Sequence, residues 1–372
     1  MTGLGVDVER LTGRRTGVAR YISALLREWA QMDLPFDQVT LYSPSRPPDD
    51  ALPEAHSYAL SVLGAPGPRA AWAHWTLARA ARAEDVLFCP SYVVPLAYGG
   101  PTVVTIHDAI HEVMPEAFPR RSLWTRRPLY RRSARRAKLV LTDSLSSKRD
   151  IERAYGVTDE RVLAIPLGVG DQFRNVADEE QARIREGYGF ATSEVVLFVG
   201  KFSRRRNVPT LVRAFAELRR AHDVDALLVL AGDDHLGLEL VELARELGIA
   251  DSVRIPGHVP DSDLPGLYAA ATMFAYPSDY EGFGLPVVEA MAAGTAVITL
   301  DNSALREVAD SAALVLPEAT VDGLAEAMWR LVDDTDLRQE LARRGEARSR
   351  SFSWPETARK TITALARVAA GD

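Results

Sequence analysis

The chain has 372 residues, which is too long for one ordinary hydrophobic core and predicts two domains. Its 47% hydrophobic and 26% charged residues are typical of a soluble globular protein, and its net charge of −7 argues against general nucleic-acid binding. The single cysteine, Cys89, excludes an internal disulfide, and neither a signal peptide nor a membrane-spanning helix is predicted. We therefore expect a cytoplasmic protein.

Short apolar strands alternate with helical patterns in the first part of the chain. The first strand, over 4–8, leads through a polar loop to an amphipathic helix that begins at Gly17. This order resembles a phosphate-binding turn but lacks the Gly-x-Gly-x-x-Gly spacing of a dinucleotide site, so an ordinary strand-to-helix connection stays open. Alternation of this kind predicts parallel strands with crossover helices. The further strands are predicted at 39–42, 86–89, 103–106, 139–142 and 162–165.

The alternation restarts after a turn-rich segment at 166–171, which predicts a domain boundary. We predict an α/β fold of two Rossmann-like doubly wound domains, 1–170 and 171–353, with a final helix over 354–372 that could return to the first domain. The two sheets are expected to face a central cleft, because ligands bind at the carboxyl ends of such strands. The strands of the second domain are predicted at 195–199, 226–231, 253–255, 273–276, 296–299 and 313–316.

The segment 278–294 has the strongest functional pattern. Pro286 fits the first position of a short apolar helix, and Gly294 fits the residue that ends it. Amides just before Pro286 would point out of the helix N-terminus, where they can hold an anion such as a diphosphate. These amides are those of Phe283, Gly284 and Leu285.

Glu281 and Glu289 form a pair of carboxylates around the start of this helix. Two acids could hydrolyse a glycoside by acid and base chemistry, or they could bind ribose and hexose hydroxyls. Acids that flank helices are often only exposed or capping groups. The pair alone does not decide between these interpretations.

A basic loop follows the first predicted strand of the second domain. It contains Lys201, Arg205, Arg206 and Asn207 between that strand and a helix. Arginine suits phosphate because its planar fork donates two parallel hydrogen bonds. A solvated basic loop is the simpler alternative, but the position at the carboxyl end of a strand favours an anion site.

His107 follows a strand of the first domain and could orient a hydroxyl or act as an acid or base. A single histidine is more often structural, and His111 competes for the same role. No Cys/His cluster has the spacing of metal ligands, so we predict no metal site.

Nine Lys or Arg residues and no acid lie between Phe118 and Thr142. The part from Arg120 to Lys138 could be a basic amphipathic helix that contacts an anionic membrane surface near a lipid-linked acceptor. A solvated helix face is the alternative. The apolar residues that favour the membrane interpretation are Leu123, Trp124, Leu129 and Tyr130.

At these residues the chain resembles the retaining glycosyltransferases of family 4, which have the GT-B fold. The signature is Glu-x₇-Glu, here Glu281 and Glu289, within EGFGLPVVEAMAAGTAVI. The resemblance covers nearly the whole chain and is strongest to the MtfB-like bacterial mannosyltransferases of surface-polysaccharide synthesis. The supporting phrases are TGVARY, TIHD, DSLSSKRDI, IPLGV, SRRRN and FSW.

The resemblance implies a role for each matching residue. Glu289 would bind the ribose, Glu281 the transferred sugar, and Arg206 the diphosphate. Glu281, His107 and Arg206 would form the catalytic set, with His107 near the reacting sugar carbon. Further donor contacts would come from Gly17, Lys201, Arg205, Asn207 and the amides of Phe283, Gly284 and Leu285. The base would lie against Arg254, Ile255, Gly257, His258 and Val259.

The implied reaction is metal-independent transfer with retention of configuration, and the only cofactor-like molecule is the nucleotide-diphosphate sugar itself. GDP-mannose is the expected donor, and a glycan or polyprenyl-linked molecule the expected acceptor, with the enzyme peripheral at the inner face of the membrane. A UDP-sugar donor, a catalytically weak sugar-nucleotide-binding paralogue, and an epimerase or phosphorylase are the alternatives. The family's Lys-Asn is Arg206-Asn207 here, and its Gly-Val-Asp turn is Gly168-Val169-Gly170 followed by Asp171.

Overall fold

The computed structural model describes residues 2–13, 16–53, 58–64, 69–190, 194–234 and 237–371. The chain forms two compact units. Unit 1 comprises Met1–Gly168 and Ser353–Asp372, and unit 2 comprises Val169–Phe352. The first segment of unit 1 therefore ends two residues before the predicted domain end at 170, and unit 2 ends one residue before its predicted end at 353.

Unit 1 is built on a parallel sheet, whose described strands number seven in the order β3-β2-β1-β4-β5-β6-β7. The order reverses beside β1, which is the topology of a doubly wound sheet. The edge strand β3 lies in the segment 43–68, whose proline and aspartate residues predict a loop or an irregular sheet edge. The strands are β1 (Gly3–Asp7), β2 (Gln38–Ser43), β3 (Tyr58–Val62), β4 (Val86–Cys89), β5 (Thr102–Thr105), β6 (Leu139–Thr142) and β7 (Val162–Ala164).

Helices cover the sheet of unit 1. The first begins where the Thr16 side chain accepts a hydrogen bond from the Ala19 amide, a standard N-cap. Between the second and third helices lies a π-helical turn, Trp72–Thr76. The helices are α1 (Gly17–Trp29), α2 (Arg69–Ala71), α3 (Leu77–Ala80), α4 (Ile110–Val113), α5 (Arg120–Arg136) and α6 (Leu145–Tyr155).

Unit 2 has a second parallel sheet, in which the described strands are ordered β10-β9-β8-β11-β12-β13. Its central strands are continuous apolar runs, as expected for parallel strands covered on both faces, and every residue of β9 is buried. The strands are β8 (Glu194–Val199), β9 (Ala226–Ala231), β10 (Val253–Gly257), β11 (Met273–Tyr276), β12 (Ala296–Leu300) and β13 (Leu314–Leu316).

The helices of unit 2 mostly connect consecutive strands, which gives the crossover pattern of parallel sheets. They are α7 (Asp178–Gly187), α8 (Val208–Ala221), α9 (Leu240–Glu246), α10 (Leu264–Ala269), α11 (Leu285–Ala292), α12 (Ser303–Ala309), α13 (Val321–Asp333) and α14 (Thr335–Ser349).

The last helix, α15 (Trp354–Ala370), belongs to unit 1 and packs against α1. The Trp29 indole donates to the Ala358 carbonyl at 3.0 Å. A Cβ atom on Gly168 would lie 2.2 Å from the Trp354 amide nitrogen, so only glycine fits where the chain passes the start of α15. Within the described ranges, no helix combines the length and the apolar character needed to cross a bilayer.

Candidate active site

The carboxyl ends of three neighbouring strands in unit 2 are held together through glycines. The Gly200 amide donates to the Ala231 carbonyl, and the Gly232 amide donates to the Gly257 carbonyl, both at 2.8 Å. Gly232 has a φ of +153°, and a Cβ atom there would lie 2.0 Å from the Gly200 oxygen. The backbones can approach this closely only because side chains are absent.

The basic loop that follows β8 contains a short 3-10 turn, Arg204–Arg206. Asn207 ends the turn with a φ of +51°, a conformation that asparagine tolerates better than most residues. Its side-chain amide donates to the Pro277 carbonyl at 3.0 Å, and the Asp279 amide donates to the Arg205 carbonyl at 2.7 Å. The turn is thereby attached to the loop that follows β11.

Glu281 is the centre of a buried ion cluster. Its Oε1 atom accepts hydrogen bonds from Arg206 Nε at 2.9 Å, Tyr276 Oη at 2.9 Å and Ser278 Oγ at 3.0 Å. Arg205 Nη1 also forms an ion pair with the same oxygen. One carboxylate oxygen therefore fixes two guanidinium groups, and the residue as a whole is 9% exposed.

The charges of this cluster keep Glu281 ionised. Burial alone would raise its pKa, but the neighbouring Arg205 and Arg206 charges lower the pKa to about 2. Burial lowers the pKa of Arg206, but the charge of Glu281 raises it, and the net shift is upward. A carboxyl group with this pKa is a poor proton donor near neutral pH. The arrangement therefore favours a binding and positioning role for Glu281 over acid catalysis of glycoside hydrolysis.

Arg206 is also fixed from the strand side. Its Nη1 atom donates to the Lys201 carbonyl at 2.9 Å, and its guanidinium lies 5.5 Å from the centre of the Tyr276 ring. A Cβ atom on Gly200 would come within 2.8 Å of the same nitrogen, so glycine makes room for the arginine. Lys201 itself is exposed at this strand end.

Helix α11 begins one residue earlier than predicted. Leu285 is its first residue, and Pro286 is the second rather than the first. Gly284, with a φ of +108°, caps the helix, and its carbonyl accepts from the Val287 amide at 2.9 Å. The first amides of a helix have no acceptor within it, so the N-terminus offers donors and a partial positive charge.

Glu289 lies inside α11 and is 3% exposed. Its Oε2 atom accepts a hydrogen bond from the Tyr268 hydroxyl of α10 at 3.0 Å. Tyr268 is held in turn, because Thr295 Oγ1 donates to its carbonyl at 2.7 Å. Glu281 and Glu289 are therefore oriented by different partners. We interpret them as two separate binding groups rather than as one acid-base pair.

The predicted base-binding residues lie at both ends of β10. Gly257, His258 and Val259 are at its carboxyl end, where His258 is exposed and Val259 is buried. Arg254 is near the amino end, and its Nη1 atom donates to the Asp251 carbonyl at 2.8 Å. The structure thus does not bring the Arg254 guanidinium to the carboxyl edge, because this short-range hydrogen bond holds it at the opposite end. Ile255 is half-buried between them.

In unit 1, Gly17 is the first residue of α1, as predicted from the sequence. A Cβ atom added there would meet no described atom within 4 Å. The N-terminus of α1 is therefore open for a ligand to approach at Gly17.

His107 is enclosed by its own unit. Its Nδ1 atom lies 2.8 Å from Asp143 Oδ2, and its Nε2 atom lies 3.2 Å from the Pro90 carbonyl oxygen. Burial favours the neutral ring, but the charge and hydrogen bond of Asp143 outweigh burial and raise the His107 pKa. With both ring nitrogens within hydrogen-bonding distance of Asp143 and the Pro90 carbonyl, His107 is a buried, positioned residue rather than a free acid or base.

Asp143 was not identified from the sequence as the partner of His107. The signal was present, because Asp143 directly follows β6 and His107 follows the neighbouring β5. Carboxyl ends of adjacent parallel strands meet at one edge, so the two side chains could have been paired from the strand order alone.

We expect Asp143→Asn to change the pH dependence of unit 1 stability. A raised folded-state pKa of His107 contributes stability that is fully present below the unfolded value of about 6.5 and is lost as pH rises through the higher folded value. The wild type should therefore lose stability above pH ~6.5, and the variant should lose less. Urea unfolding between acidic and alkaline pH tests this, and identical pH profiles for the two proteins would contradict it.

Helix α5 does not present the apolar face that the sequence suggested. Leu123 and Tyr130 are buried against unit 1, Leu129 is half-buried, and Trp124 is the large apolar residue exposed, at 82%. The membrane interpretation thus loses three of its four apolar residues, because they pack on the core. It stays a prediction, which co-sedimentation with anionic and neutral vesicles can test.

Several basic side chains of this region bind neighbouring protein groups. Arg127 pairs with Glu112, and Arg135 donates to the Tyr155 carbonyl. His111 is stacked on Phe118 with ring centres 4.2 Å apart, and burial and the charge of Arg126 lower its pKa to about 4. His111 is therefore a neutral packing residue.

Comparisons with known proteins agree with this architecture. The sequence profile described as Glycosyltransferase Family 4 matches residues 15–173, and that of Glycosyl transferases group 1 matches residues 180–348. O-antigen chain mannosyltransferase B of Escherichia coli is 32% identical over 266 residues, which are 70% of this chain and 69% of that protein. This chain belongs to glycosyltransferase family 4.

Two further proteins place this family 4 glycosyltransferase among its relatives. The MMP alpha-(1->4)-mannosyltransferase of Mycolicibacterium hassiacum is 34% identical over 295 residues, covering 73% of this chain and 67% of that protein. Anabaena HepE, in complex with UDP and glucose, has a similar structure with a TM-score of 0.80 at 19% identity, covering 98% and 99% of the two chains. The predicted GT-B fold with two Rossmann-like sheets is confirmed.

Proposed function

We propose that this glycosyltransferase moves mannose from GDP-mannose, with retention of configuration, to a glycan or lipid-linked acceptor in surface-polysaccharide synthesis. The names of the two relatives described above support the choice of mannose, since both are mannosyltransferases. Other relatives above 30% identity are D-inositol 3-phosphate glycosyltransferases, so the choice of mannose rests on the mannosyltransferases among several relatives. The observation that carries the chemistry is the arginine pair held by Glu281 at the carboxyl edge of unit 2. This pair lies in the half of the chain that the group 1 profile covers.

The arginine pair suits a departing diphosphate. Arg205 and Arg206 contribute two positive charges and Glu281 one negative charge, which leaves a net charge of +1, and Lys201 raises it to +2. The N-terminus of α11 adds donors for the same anion. When the bond between sugar and diphosphate breaks, negative charge grows on the leaving group, and fixed cations stabilise it without reorganising.

This arrangement supports transfer without a metal ion or a covalent intermediate. The fixed positive charges do the work that a divalent cation does in other phosphate sites, so we expect EDTA to leave the rate of transfer unchanged. Glu281 would be a weak nucleophile, because two guanidinium groups and two hydroxyls bind its Oε1 atom. We propose instead that the leaving phosphate accepts the proton of the acceptor hydroxyl.

The remaining predicted residues have supporting roles in this proposal. Glu289 binds the ribose hydroxyls, and the amides of Phe283 to Leu285 contact the sugar and the diphosphate. Gly257 to Val259 border the base, and Gly17 allows a phosphate to approach α1. His107, whose pKa is raised beside Asp143, contributes positive charge on the acceptor side in this proposal. It does not act as an acid or base, because both ring nitrogens are hydrogen-bonded.

We expect Tyr268→Phe to raise the donor KM at least about tenfold and to leave kcat nearly unchanged, since one hydrogen bond to a charged group contributes ~1.5–3 kcal/mol. Tyr268 orients Glu289, so its loss weakens ribose binding in the ground state and transition state alike. A donor with 2′-deoxyribose should show a much smaller effect of the substitution. Equal effects on both donors would contradict the assignment of Glu289 to the ribose.

Thermal-shift screening against GDP-, UDP- and ADP-sugars tests the donor. A donor that binds only the native state at 100 times its Kd stabilises it by ~2.7 kcal/mol. We expect the largest shift with GDP-mannose, and only in the transition of unit 2. A UDP-sugar is the competing donor, and a larger shift with it would overturn the GDP-mannose assignment. Donor binding without any transfer would instead support a catalytically weak paralogue.

A further inference from the structure

Unit 1 exposes Trp75, although regular α-helical geometry would place it on the same face as the buried Trp72. Trp72 is 2% exposed, whereas Trp75, three residues later, is 59% exposed. Residues three apart share one face of an α-helix, but these two lie in the π-helical turn Trp72–Thr76. The wider turn separates them and directs Trp75 outward. Such turns occur often at functional sites.

Trp75 borders a groove of about 590 Å³, which is within the size range of small-molecule sites. Arg79 and Arg82, from the following helical turns, line the same groove, and both are exposed. Ala97 also lines the groove, and its amide donates to the His74 carbonyl at 3.2 Å. Among the described residues that line the groove, none carries a carboxylate.

A second basic group, on α5, lies beside this groove. Arg136 donates to the carbonyl of Tyr98, the residue after Ala97. Arg136 also lines a separate groove, which contains Glu112. We name the indole–arginine surface after the groove residues Trp75, Arg79, Arg82 and Ala97.

The chemistry of this surface selects one class of ligand. An exposed indole offers a flat apolar face on which the C–H face of a pyranose ring can lie, and its N–H can meet a hydroxyl. The guanidinium groups of Arg79 and Arg82 offer paired donors to a carboxylate or phosphate. A neutral sugar would use only the indole, and an inorganic anion only the arginines, whereas an acidic sugar uses both.

We propose that the indole–arginine surface binds an acidic saccharide, namely uronic-acid or similarly charged units of the glycan on which the enzyme acts. This inference rests on the proposed function, because that function brings a growing glycan to the protein. A second attachment point on the glycan raises the effective concentration of its reacting end without changing the chemistry of transfer. The surface would thus favour long acidic acceptors over short ones.

The test is calorimetric titration, without donor, of an oligosaccharide that contains hexuronic acid and of the same oligosaccharide after its carboxyl groups are reduced. We expect the wild type to bind the acidic form at least about tenfold more tightly, and salt to weaken that binding. Trp75→Ala and the double variant Arg79→Gln/Arg82→Gln should each lose at least about tenfold in affinity.

Matched controls come from α5. Trp124→Ala removes another exposed indole, at 82% exposure, and Arg120→Gln/Arg121→Gln removes two exposed arginines; none of these residues lines the groove. We expect both control variants to bind like the wild type. All variants should transfer to a short neutral acceptor at the wild-type rate.

Three results would overturn the proposal. They are equal affinity for the acidic and reduced oligosaccharides, equal affinity in the Trp75 and Trp124 variants, and Trp75-dependent binding of anionic vesicles without binding of the acidic oligosaccharide. The last result would identify a lipid contact instead. Because binding is measured without donor, failure to transfer any sugar would contradict the proposed function separately from this inference.

Discussion

Glu281→Gln is expected to lower kcat/KM at least about 100-fold, the scale found when one preorganised electrostatic group is lost. The substitution removes the negative charge that orients Arg205 and Arg206 and leaves two largely buried guanidinium groups without a counter-charge. Removing one partner of a buried ion pair costs ~3–5 kcal/mol of folding free energy. Unit 2 should therefore unfold at a lower urea concentration, and donor affinity should fall because the arginines lose their position.

Glu340→Gln is the matched control. Glu340 also accepts hydrogen bonds from two arginines, Arg343 and Arg344, but on the exposed face of α14. Exposed pairs contribute little to stability, so this variant should keep the wild-type urea midpoint and rate. Steady-state kinetics and urea unfolding of both variants provide the comparison. Wild-type turnover by a correctly folded Glu281→Gln protein would contradict the role of the cluster.

Arg206→Ala is expected to lower kcat by about 100-fold to 1000-fold, with a smaller change in donor KM. The reason is that the charge on the diphosphate increases as the sugar leaves, so a fixed cation stabilises the transition state more than the bound donor. Arg206→Lys keeps the charge that the family pattern has at this position and should retain activity within about tenfold of the wild type. Initial rates over a range of donor concentrations separate kcat from KM.

Arg204→Gln is the control for this series, because Arg204 is an exposed residue of the same turn. Its rate should equal that of the wild type. If Arg206→Ala raised KM alone, Arg206 would contribute uniform binding of the diphosphate rather than stabilisation of its departure. The Gly200→Ala variant is expected to resemble a weaker form of Arg206→Ala, because the added methyl group would displace the guanidinium.

The sequence predicted the elements that rest on regular patterns. Parallel strands alternate with helices, so the strand ends that carry Lys201, His107 and Glu281 could be assigned to the carboxyl edges of two sheets. The membership of α15 in unit 1 was only one of the possibilities that the sequence allowed. The segment that contains the edge strand β3 was predicted only as a loop or an irregular sheet edge, since it is rich in proline and aspartate and has no clear periodicity.

Side-chain partners were beyond the reach of the sequence patterns. The family motif predicted that Glu281 contacts the sugar. Its partners are visible only in the folded structure, where Arg205, Arg206, Tyr276 and Ser278 all bind its Oε1 atom. Arg254 was assigned to the base region by its position in the strand, yet a flexible arginine can reach backward to a nearby carbonyl, as this one does.

The turn after the IPLGV phrase departs from the family pattern, and the structure clarifies one part of it. Gly168 is required by the close approach of Trp354. Asp171, one residue beyond the family's aspartate position, is fully exposed and lies 3.5 Å from the Arg174 Nε atom. Asp171 is therefore a surface residue of unit 2, paired locally rather than with the arginine cluster.

The most direct test of the proposed reaction is nuclear magnetic resonance of the product formed from GDP-mannose and a glycan or lipid-linked acceptor in the presence of EDTA. The account predicts release of GDP and a new α-mannoside, since the donor is an α-glycosyl diphosphate and retention keeps that configuration. A β-mannoside, a requirement for a divalent metal, or consumption of a UDP-sugar while GDP-mannose stays intact would contradict it.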